Sequence, residues 1–123
     1  MKQISESEML HRAAAYCSAS ERCIQDVEKK IKAAGLAGEE SDRIVSRLLQ
    51  ERFIDESRFA RYFVNDKLRF NKWGRVKINY EMQRKGIPSS IRSEALEGID
   101  EQEYRSILLS LLKSKKKVTR GKD

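Results

Sequence analysis

The sequence predicts an all-α fold: an elongated chain of tandem three-helix repeats in two copies, with a leading N-terminal helix and a basic C-terminal tail. Apolar residues recur at spacings of three and four along successive segments, which is the pattern of a helix with one buried face. The 123 residues include a single proline, and no segment alternates apolar and polar residues as a half-buried strand would. The second half of the chain also repeats the pattern of the first half.

The first half contains three predicted helices. Residues 7–17 form the leading helix, and Ser18 with Glu21 has the spacing of a capping box that would start the second helix. The second helix ends at Gly35, and the third runs from about Glu39 to Arg52. The residues predicted to face inward are Met9, Leu10, Ala13, Ala14, Cys17, Ile24, Val27, Ile31, Ala34, Ile44, Val45, Leu48 and Leu49.

The stretch from Ile54 to Ile87 ends one unit and begins the next. Asp55 or Ser57 can cap the start of a helix through its side-chain oxygen. Trp73-Gly74 breaks this helix, and Gly86 followed by Pro88 ends the helix after it. The residues predicted to be apolar core are Phe59, Phe63, Phe70, Val76, Ile78 and Met82, while Tyr62 and Tyr80 could face either way.

Two further helices follow Pro88. Ser89 and Ser90 can cap a short helix that ends at Gly98. A last helix runs from Asp100 to about Ser114. The residues predicted to face inward from these helices are Ile91, Ala95, Leu96, Tyr104, Ile107, Leu108, Leu111 and Leu112. The tail from Lys113 to Asp123 carries six Lys/Arg and one Asp. It has nothing with which to build a core, so we expect it to fray or be disordered.

An internal repeat organises these helices. The pattern of Val27, Ile31, Gly35 and Leu36 recurs 51 positions later, and the triplet Ile54-Asp55-Glu56 recurs unchanged as Ile99-Asp100-Glu101. Between them, Ile44, Leu48 and Leu49 match Ile91, Ala95 and Leu96 at an offset of 47. A repeat of this kind indicates stacked helical units with a long binding face.

Charge divides the chain near the same point. Residues 1–56, the leading helix and the first two helices of repeat one, hold 9 Lys/Arg and 11 Asp/Glu. Residues 57–123, the third helix of repeat one, the second repeat and the lysine-rich tail, hold 17 Lys/Arg and 8 Asp/Glu. The net charges are −2 and +9 within a single continuous repeat domain. A basic half favours an anionic partner, which could be nucleic acid, an acidic protein surface or a lipid headgroup.

Several function classes find little support in the sequence. No apolar run is long enough to span a bilayer and the N-terminus lacks a signal-peptide pattern, so we expect a cytoplasmic protein without membrane contact. Cys17, Cys23 and His11 do not make a four-ligand metal site. No P-loop, dinucleotide loop or catalytic constellation is present, so we expect neither an enzyme nor a cofactor.

Two ordered motifs resemble the RecX family of recombination regulators. The first is Asp55, Arg58, Phe59 and Ala60, which matches D-x-x-R-F-A. The second is G-x-x-x-I-x-x-E-L-x-x-K-G-I, matched by Gly74, Ile78, Glu81, Lys85, Gly86 and Ile87, with Met82 in place of leucine. Arg75 stands where the family often has proline. The family commonly carries a third three-helix repeat, whereas this sequence ends after the second, so we expect a shorter footprint on a partner.

The resemblance implies a non-enzymatic cytoplasmic protein that binds the RecA recombinase filament, inhibits its ATPase and strand exchange, and favours its disassembly. It also implies a place in DNA recombination, DNA repair and the SOS response. We expect a monomer that meets RecA and, either directly or not, single- or double-stranded DNA. The alternative is a stand-alone, non-specific nucleic-acid-binding module.

The candidate binding face follows from charge. Arginine grips carboxylate or phosphate as a fixed fork, and lysine acts as a point charge. Trp73 either stacks on a base or fills an interface pocket, or else it is a half-buried plug between repeats. The predicted face consists of Arg58, Arg61, Lys67, Arg69, Lys72, Trp73, Arg75, Lys77, Arg84 and Lys85.

Overall fold

The computed structural model describes the backbone of residues 4–122 and the side chains of residues 4–113. Within that range it contains seven helices and no strand, which confirms the predicted all-α fold. The helices are α1 (Glu6–Ala19), α2 (Ile24–Ala33), α3 (Glu39–Gln50), α4 (Glu56–Arg69), α5 (Arg75–Arg84), α6 (Ser89–Glu97) and α7 (Glu101–Lys122). No helix within the described residues is both long enough and apolar enough to cross a membrane.

The helices pack as two three-helix units, each around its own apolar cluster. In the first unit, α1, α2 and α3 enclose a core that includes Met9, Ile31 and Leu48. In the second unit, α4, α5 and α6 enclose a core that includes Phe59 and Ile78. Helix α7 packs on α4. Burial of these apolar side chains is the main stabilising term in a chain that lacks a sheet or a disulfide within its described part.

Tertiary packing sets the phase of the repeat one helix earlier than the sequence pattern suggests. Met9 and Ala13 are buried on α1, and the residues 51 positions later, Ala60 and Val64, are buried on α4. The predicted leading helix is therefore the first helix of the first unit. A cyclic pattern along a sequence fixes the period of a repeat, whereas its boundaries depend on which helices share a core.

Helix α7 begins as α4 does. The Asp55 carboxylate accepts a hydrogen bond from the Arg58 N–H at 3.0 Å, and the Asp100 carboxylate accepts one from the Gln102 N–H at 2.8 Å. Both aspartates come from the repeated Ile-Asp-Glu triplet, whose isoleucines, Ile54 and Ile99, are buried. The triplet is thus a start signal for the first helix of each successive unit, since a short carboxylate satisfies the free N–H groups of the first turn.

The start of α2 forms a joint between the two units. The Ile24 N–H donates to Glu56 Oε2 at 3.2 Å, and burial raises the pKa of Glu56 while this hydrogen bond opposes that shift. Asp26 forms an ion pair with Lys85 at 3.0 Å. Burial also acts to raise the pKa of Asp26, but hydrogen bonds from the Cys23 N–H and Lys85 outweigh it and lower the pKa. The units are therefore held together by polar contacts as well as by apolar ones.

Cys23 belongs to the α1–α2 loop but is buried in the core of the second unit. Burial raises the pKa of its thiol from 9.0 to about 11. Above pH 9 the unfolded chain therefore loses the thiol proton before the folded chain does, and folding stability falls as the pH rises towards 11. We expect thermal melts from pH 8 to 11 to show this loss in the parent protein and a smaller loss in Cys23→Ala. Equal slopes for the two proteins would contradict the assignment.

Two predicted helix starts are wrong. Helix α1 continues to Ala19, where the Ser18 hydroxyl donates to the Ala14 carbonyl at 3.0 Å instead of capping a new helix. Helix α2 starts at Ile24, and the Asp26 carboxylate accepts from the Cys23 N–H at 3.2 Å. The N-cap of α6 is Pro88, without a side-chain hydrogen bond, so the predicted serine caps are also incorrect.

Several predicted core residues are exposed. Phe70 is 80% exposed and Val76 is 86% exposed, while Leu49, Leu108 and Leu112 are also exposed. Phe70 follows the last residue of α4, and the periodicity that aligns it with Phe63 sets only its direction. A side chain is buried only where a neighbouring element covers that direction.

The last helix is longer than predicted. Helix α7 runs from Glu101 to Lys122, so the predicted end near Ser114 is wrong. Lysine and arginine are good helix formers, and cations near a helix C-terminus interact favourably with its dipole. The tail predicted to fray runs from Lys113 to Asp123, and its side chains beyond Lys113 lie outside the described residues.

Candidate partner-binding surface

The ten residues of the predicted basic face lie on α4, on the loop that follows it, and on α5 with its C-cap. They do not form one uniform exposed surface. Ion pairs with carboxylates far along the chain engage four of them, three with carboxylates on other helices and one with Glu21 in the α1–α2 loop. The folded chain brings these acidic residues to positions that the sequence alone does not connect. Geometry divides the ten into residues that hold the fold together and residues that remain available to a partner.

Arg69 and Arg75 tie α7 to the second unit. Arg69 forms two hydrogen bonds with the Glu103 carboxylate, at 2.6 and 3.3 Å, and this contact raises the pKa of the guanidinium. Arg75 pairs with Glu101, and its guanidinium carbon lies 4.2 Å from the ring centroid of Tyr104. Reversing either charge would place like charges together across a helix contact. These two arginines are therefore unsuitable for testing a binding surface by charge reversal.

Arg58 and Lys85 belong to the joint between the units. Arg58 Nε donates to Glu21 Oε2 at 2.7 Å, and its Nη2 donates to the carbonyl oxygens of Arg52 and Phe53 at 3.1 and 3.3 Å. The Lys85 ammonium is engaged by Asp26. Both cations are partly covered by the contacts that they stabilise, so their first role is structural.

Trp73 is half-buried between two lysines. Its ring packs edge-on against Phe63 with the centroids 6.4 Å apart, and it contacts the core of the second unit. The Lys67 and Lys77 ammonium groups lie 5.3 and 4.5 Å from its ring centroid, within the range of cation–π attraction. This geometry matches the plug interpretation of Trp73, although the plug closes the α4–α5 loop within one unit and does not lie between repeats.

The available cations are Arg61, Lys72 and Lys77. All three are exposed, and none has a carboxylate partner among the described side chains. Lys72 lies in the loop with a left-handed φ of 58°, which lysine rarely adopts. Arg84 is also exposed, but it pairs with Glu81 at 3.5 Å. These four residues are the part of the predicted face that a partner could reach directly.

Two exposed apolar residues on α5 lie beside these cations. Val76 and Tyr80 lie one turn apart on α5, 86% and 56% exposed. From the sequence, Val76 is predicted to be core and Tyr80 could face either way, so the exposure of Val76 corrects that prediction. A signal was present, because Ile78 and Met82 define the buried face of α5, and Val76 is two residues away from that face. Together the two side chains form a small apolar patch beside exposed cations, and apolar patches rimmed by polar residues mark candidate interaction sites.

Other features of the described residues do not suggest chemistry. No group of three or more His, Cys, Asp and Glu residues among them could hold a metal ion. An open groove of about 700 Å³ lies between α1 and α3, and the ion pair between Arg43 and Glu6 crosses it at 2.7 Å. The class that the fold and this surface define is a helical-repeat protein with exposed basic and apolar side chains on its second unit.

The second unit matches a known family. Residues 55–96, which span α4, α5 and α6, match the family model described as RecX, second three-helix domain. The regulatory protein RecX of Prosthecochloris aestuarii is 33% identical over 91 residues, which cover 74% of this chain and 60% of that protein. The regulatory protein RecX of Lactobacillus johnsonii is 26% identical over 113 residues, which cover 92% of this chain and 42% of that protein. The chain thus spans 60% or less of the length of these two relatives.

Solved structures share the fold. A crystal structure of RecX from Lactobacillus salivarius aligns with a TM-score of 0.78 at 20% identity, covering 89% of this chain and 71% of that chain. A second crystal structure of a regulatory protein RecX aligns with a TM-score of 0.75 at 22% identity, covering 83% of this chain and 50% of that chain. These two structures show the shared fold. The resemblance stated from the motifs is confirmed by the family model and by the 33% identity to the Prosthecochloris aestuarii protein, and the chain belongs to the RecX family of regulatory proteins.

Proposed function

We propose that this chain is a regulator that binds filaments of the RecA recombinase on DNA, inhibits their ATPase and strand-exchange activity, and favours their disassembly. The observation that carries the proposal is the match of residues 55–96 to the second three-helix domain of RecX. The relatives are named regulatory proteins, which supports a role by binding rather than by catalysis. We propose that it acts in the cytoplasm as a monomer.

The surface suggests how binding could inhibit. A nucleoprotein filament presents both acidic protein and phosphate, and the second unit offers Arg61, Lys72 and Lys77 free of carboxylate partners in the described structure. Such cations attract either group at long range and hold it at contact. A body lying along the filament would then compete for the path of a second DNA strand and restrain the subunit movements that accompany nucleotide turnover.

The test is the ATPase rate of the cognate RecA, assembled on single-stranded DNA, while this protein is titrated in. We expect inhibition at concentrations well below those that bind bare DNA. We also expect Arg61→Glu/Lys72→Glu to need at least about fivefold more protein for half-inhibition, because reversing interface charges weakens association with an anionic partner.

The matched control is Lys29→Glu/Lys32→Glu, which makes the same change in net charge on exposed positions of α2. Equal inhibition by the two double variants would contradict the role of the basic surface. Absence of any inhibition by the parent protein would contradict the proposed function itself.

A second candidate is a stand-alone nucleic-acid-binding module, and the net charge of +9 on residues 57–123 favours it. This function predicts binding to bare DNA that weakens steeply with salt, because each neutralised phosphate releases condensed counterions. The same titration separates the candidates. Tight, salt-sensitive binding to DNA without an effect on the recombinase would support the second one.

A further inference from the structure

The two units carry equivalent docking positions at the start of their second helices. The Ile24 N–H at the start of α2 donates to Glu56 of α4 at 3.2 Å. The Arg75 N–H, 51 positions later at the start of α5, donates to the Tyr104 hydroxyl of α7 at 3.2 Å. In each unit, a side chain from the next first helix therefore satisfies this amide. The first turn of α7 thus makes the same kind of contact with the second unit as the first turn of α4 makes with the first unit.

The next two residues behave differently in the two units. On the first unit, Gln25 Nε2 donates to the Arg84 carbonyl at 3.2 Å, and Asp26 pairs with Lys85 at 3.0 Å, so both hold the end of α5. Their counterparts 51 positions later are Val76 and Lys77, and both are exposed. We call Val76 and Lys77 the open slot, because the equivalent position on the first unit is filled by a helix end.

Local stability does not explain the residues of the open slot. Asp26 accepts a hydrogen bond from the Cys23 N–H, and its charge suits the positive end of the α2 dipole. Lys77 occupies the same position in α5, whose first turn contains no acidic residue. A cation there is unfavourable for the helix, and an 86% exposed valine beside it gains nothing from burial within the chain.

The chemistry of the slot selects its occupant. Lys77 stands where the first unit has Asp26, so the charge at this position is reversed. The slot would therefore repel a basic residue such as Lys85 and would not accept another copy of the second unit. The Lys77 ammonium lies 4.5 Å from the Trp73 ring centroid, and its positive charge complements a carboxylate instead. Two observations favour a protein over a nucleic acid as the occupant. Val76 is aliphatic and has no ring on which a base could stack, and the equivalent position on the first unit binds a backbone carbonyl of α5.

We propose that the open slot binds an acidic segment of a partner protein, with a carboxylate against Lys77 and an aliphatic side chain against Val76. Under the function proposed above, on which this inference rests, that partner is a subunit of the recombinase filament. The slot is then a protein contact, distinct from any contact that Arg61 and Lys72 make with phosphate.

The test replaces the slot with the residues of its filled counterpart. Val76→Gln/Lys77→Asp places an acidic residue near the start of α5, where it suits the helix dipole, so this variant should fold at least as stably as the parent protein. Lys29→Asp is the matched control, with the same change in net charge at an exposed position of α2. We measure co-sedimentation with RecA filaments on single-stranded DNA, fluorescence anisotropy with the bare oligonucleotide, and the sedimentation coefficient of the free protein.

We expect the slot variant to bind filaments at least about tenfold more weakly than Lys29→Asp, because a central contact of an interface carries much of its affinity. Binding to the bare oligonucleotide should match that of the control. Equal filament binding by the two variants would overturn the inference alone. A parallel loss of oligonucleotide binding would also overturn it, because the slot would then be a DNA contact. A parent protein that is a dimer, and that the slot variant converts to a monomer, would overturn it as well. Failure of the parent protein to bind filaments would overturn the proposed function together with this partner.

Discussion

Replacing Ile78 by alanine is expected to lower the free energy of unfolding by about 3 kcal/mol, which is the usual cost of truncating a fully buried isoleucine. Ile78 is 0% exposed at the centre of the second core. The same core includes Cys23 from the loop of the first unit. We therefore expect a single unfolding transition, in which both units lose structure together, when helicity is followed by circular dichroism during urea denaturation.

Val76→Ala is the matched control, because it truncates a β-branched side chain two residues earlier on the same helix. Val76 is 86% exposed, so its truncation should change the free energy of unfolding by no more than about 0.5 kcal/mol. Losses of similar size for the two variants would show that both faces of α5 are buried in solution. Two separate transitions would show that the joint does not couple the units.

Replacing Arg58 by alanine is expected to cost about 2 kcal/mol. The change removes the ion pair with Glu21 and two hydrogen bonds to backbone carbonyl oxygens. Glu21 Oε1 is already buried without a hydrogen-bond partner among the described residues. Removal of Arg58 would therefore take from Glu21 its principal contact, which is made through Oε2. Both side chains remain partly exposed, at 38% and 25%, and solvent screens the ion pair itself. Most of the cost therefore comes from the stranded carboxylate and carbonyl groups.

Arg61→Ala, one turn further along α4, provides the comparison by chemical denaturation. Arg61 is exposed and has no carboxylate partner within the described structure, so we expect a change within about 0.5 kcal/mol. Glu21→Ala combined with Arg58→Ala should cost less than the sum of the single changes, since the two residues share one interaction. An Arg58→Ala variant as stable as Arg61→Ala would remove Arg58 from the joint and return it to the free basic surface.

The motifs that carry the family resemblance are mainly structural. Phe59, Ala60, Ile78 and Ile87 are all buried, and Asp55 caps α4. Such residues recur at fixed spacings because a core and a helix start require particular side chains at particular positions. The motifs therefore predicted the fold and the family well, while they contained little information about which cations remain exposed.

The candidate surface was only partly predictable for the same reason. The charge count placed the positive excess correctly in the second half, but it could not show that Arg69 and Arg75 pair with Glu103 and Glu101 on α7. Those partners lie 34 and 26 positions away along the chain. Conversely, Val76 was predicted to be core because the sequence shows that it is apolar. The sequence does not show that no element of the described structure covers it.

The sequence alone determined the helical fold class, the period of the repeat, the glycine that ends α5, and the family. Each of these depends on local side-chain preferences or on spacing, which are properties of the chain itself. Tertiary structure decided the phase of the units, the joint at α2, and the division of the basic residues into paired and available ones. These features depend on which distant residues meet across helices, and only the packing of the cores determines those meetings.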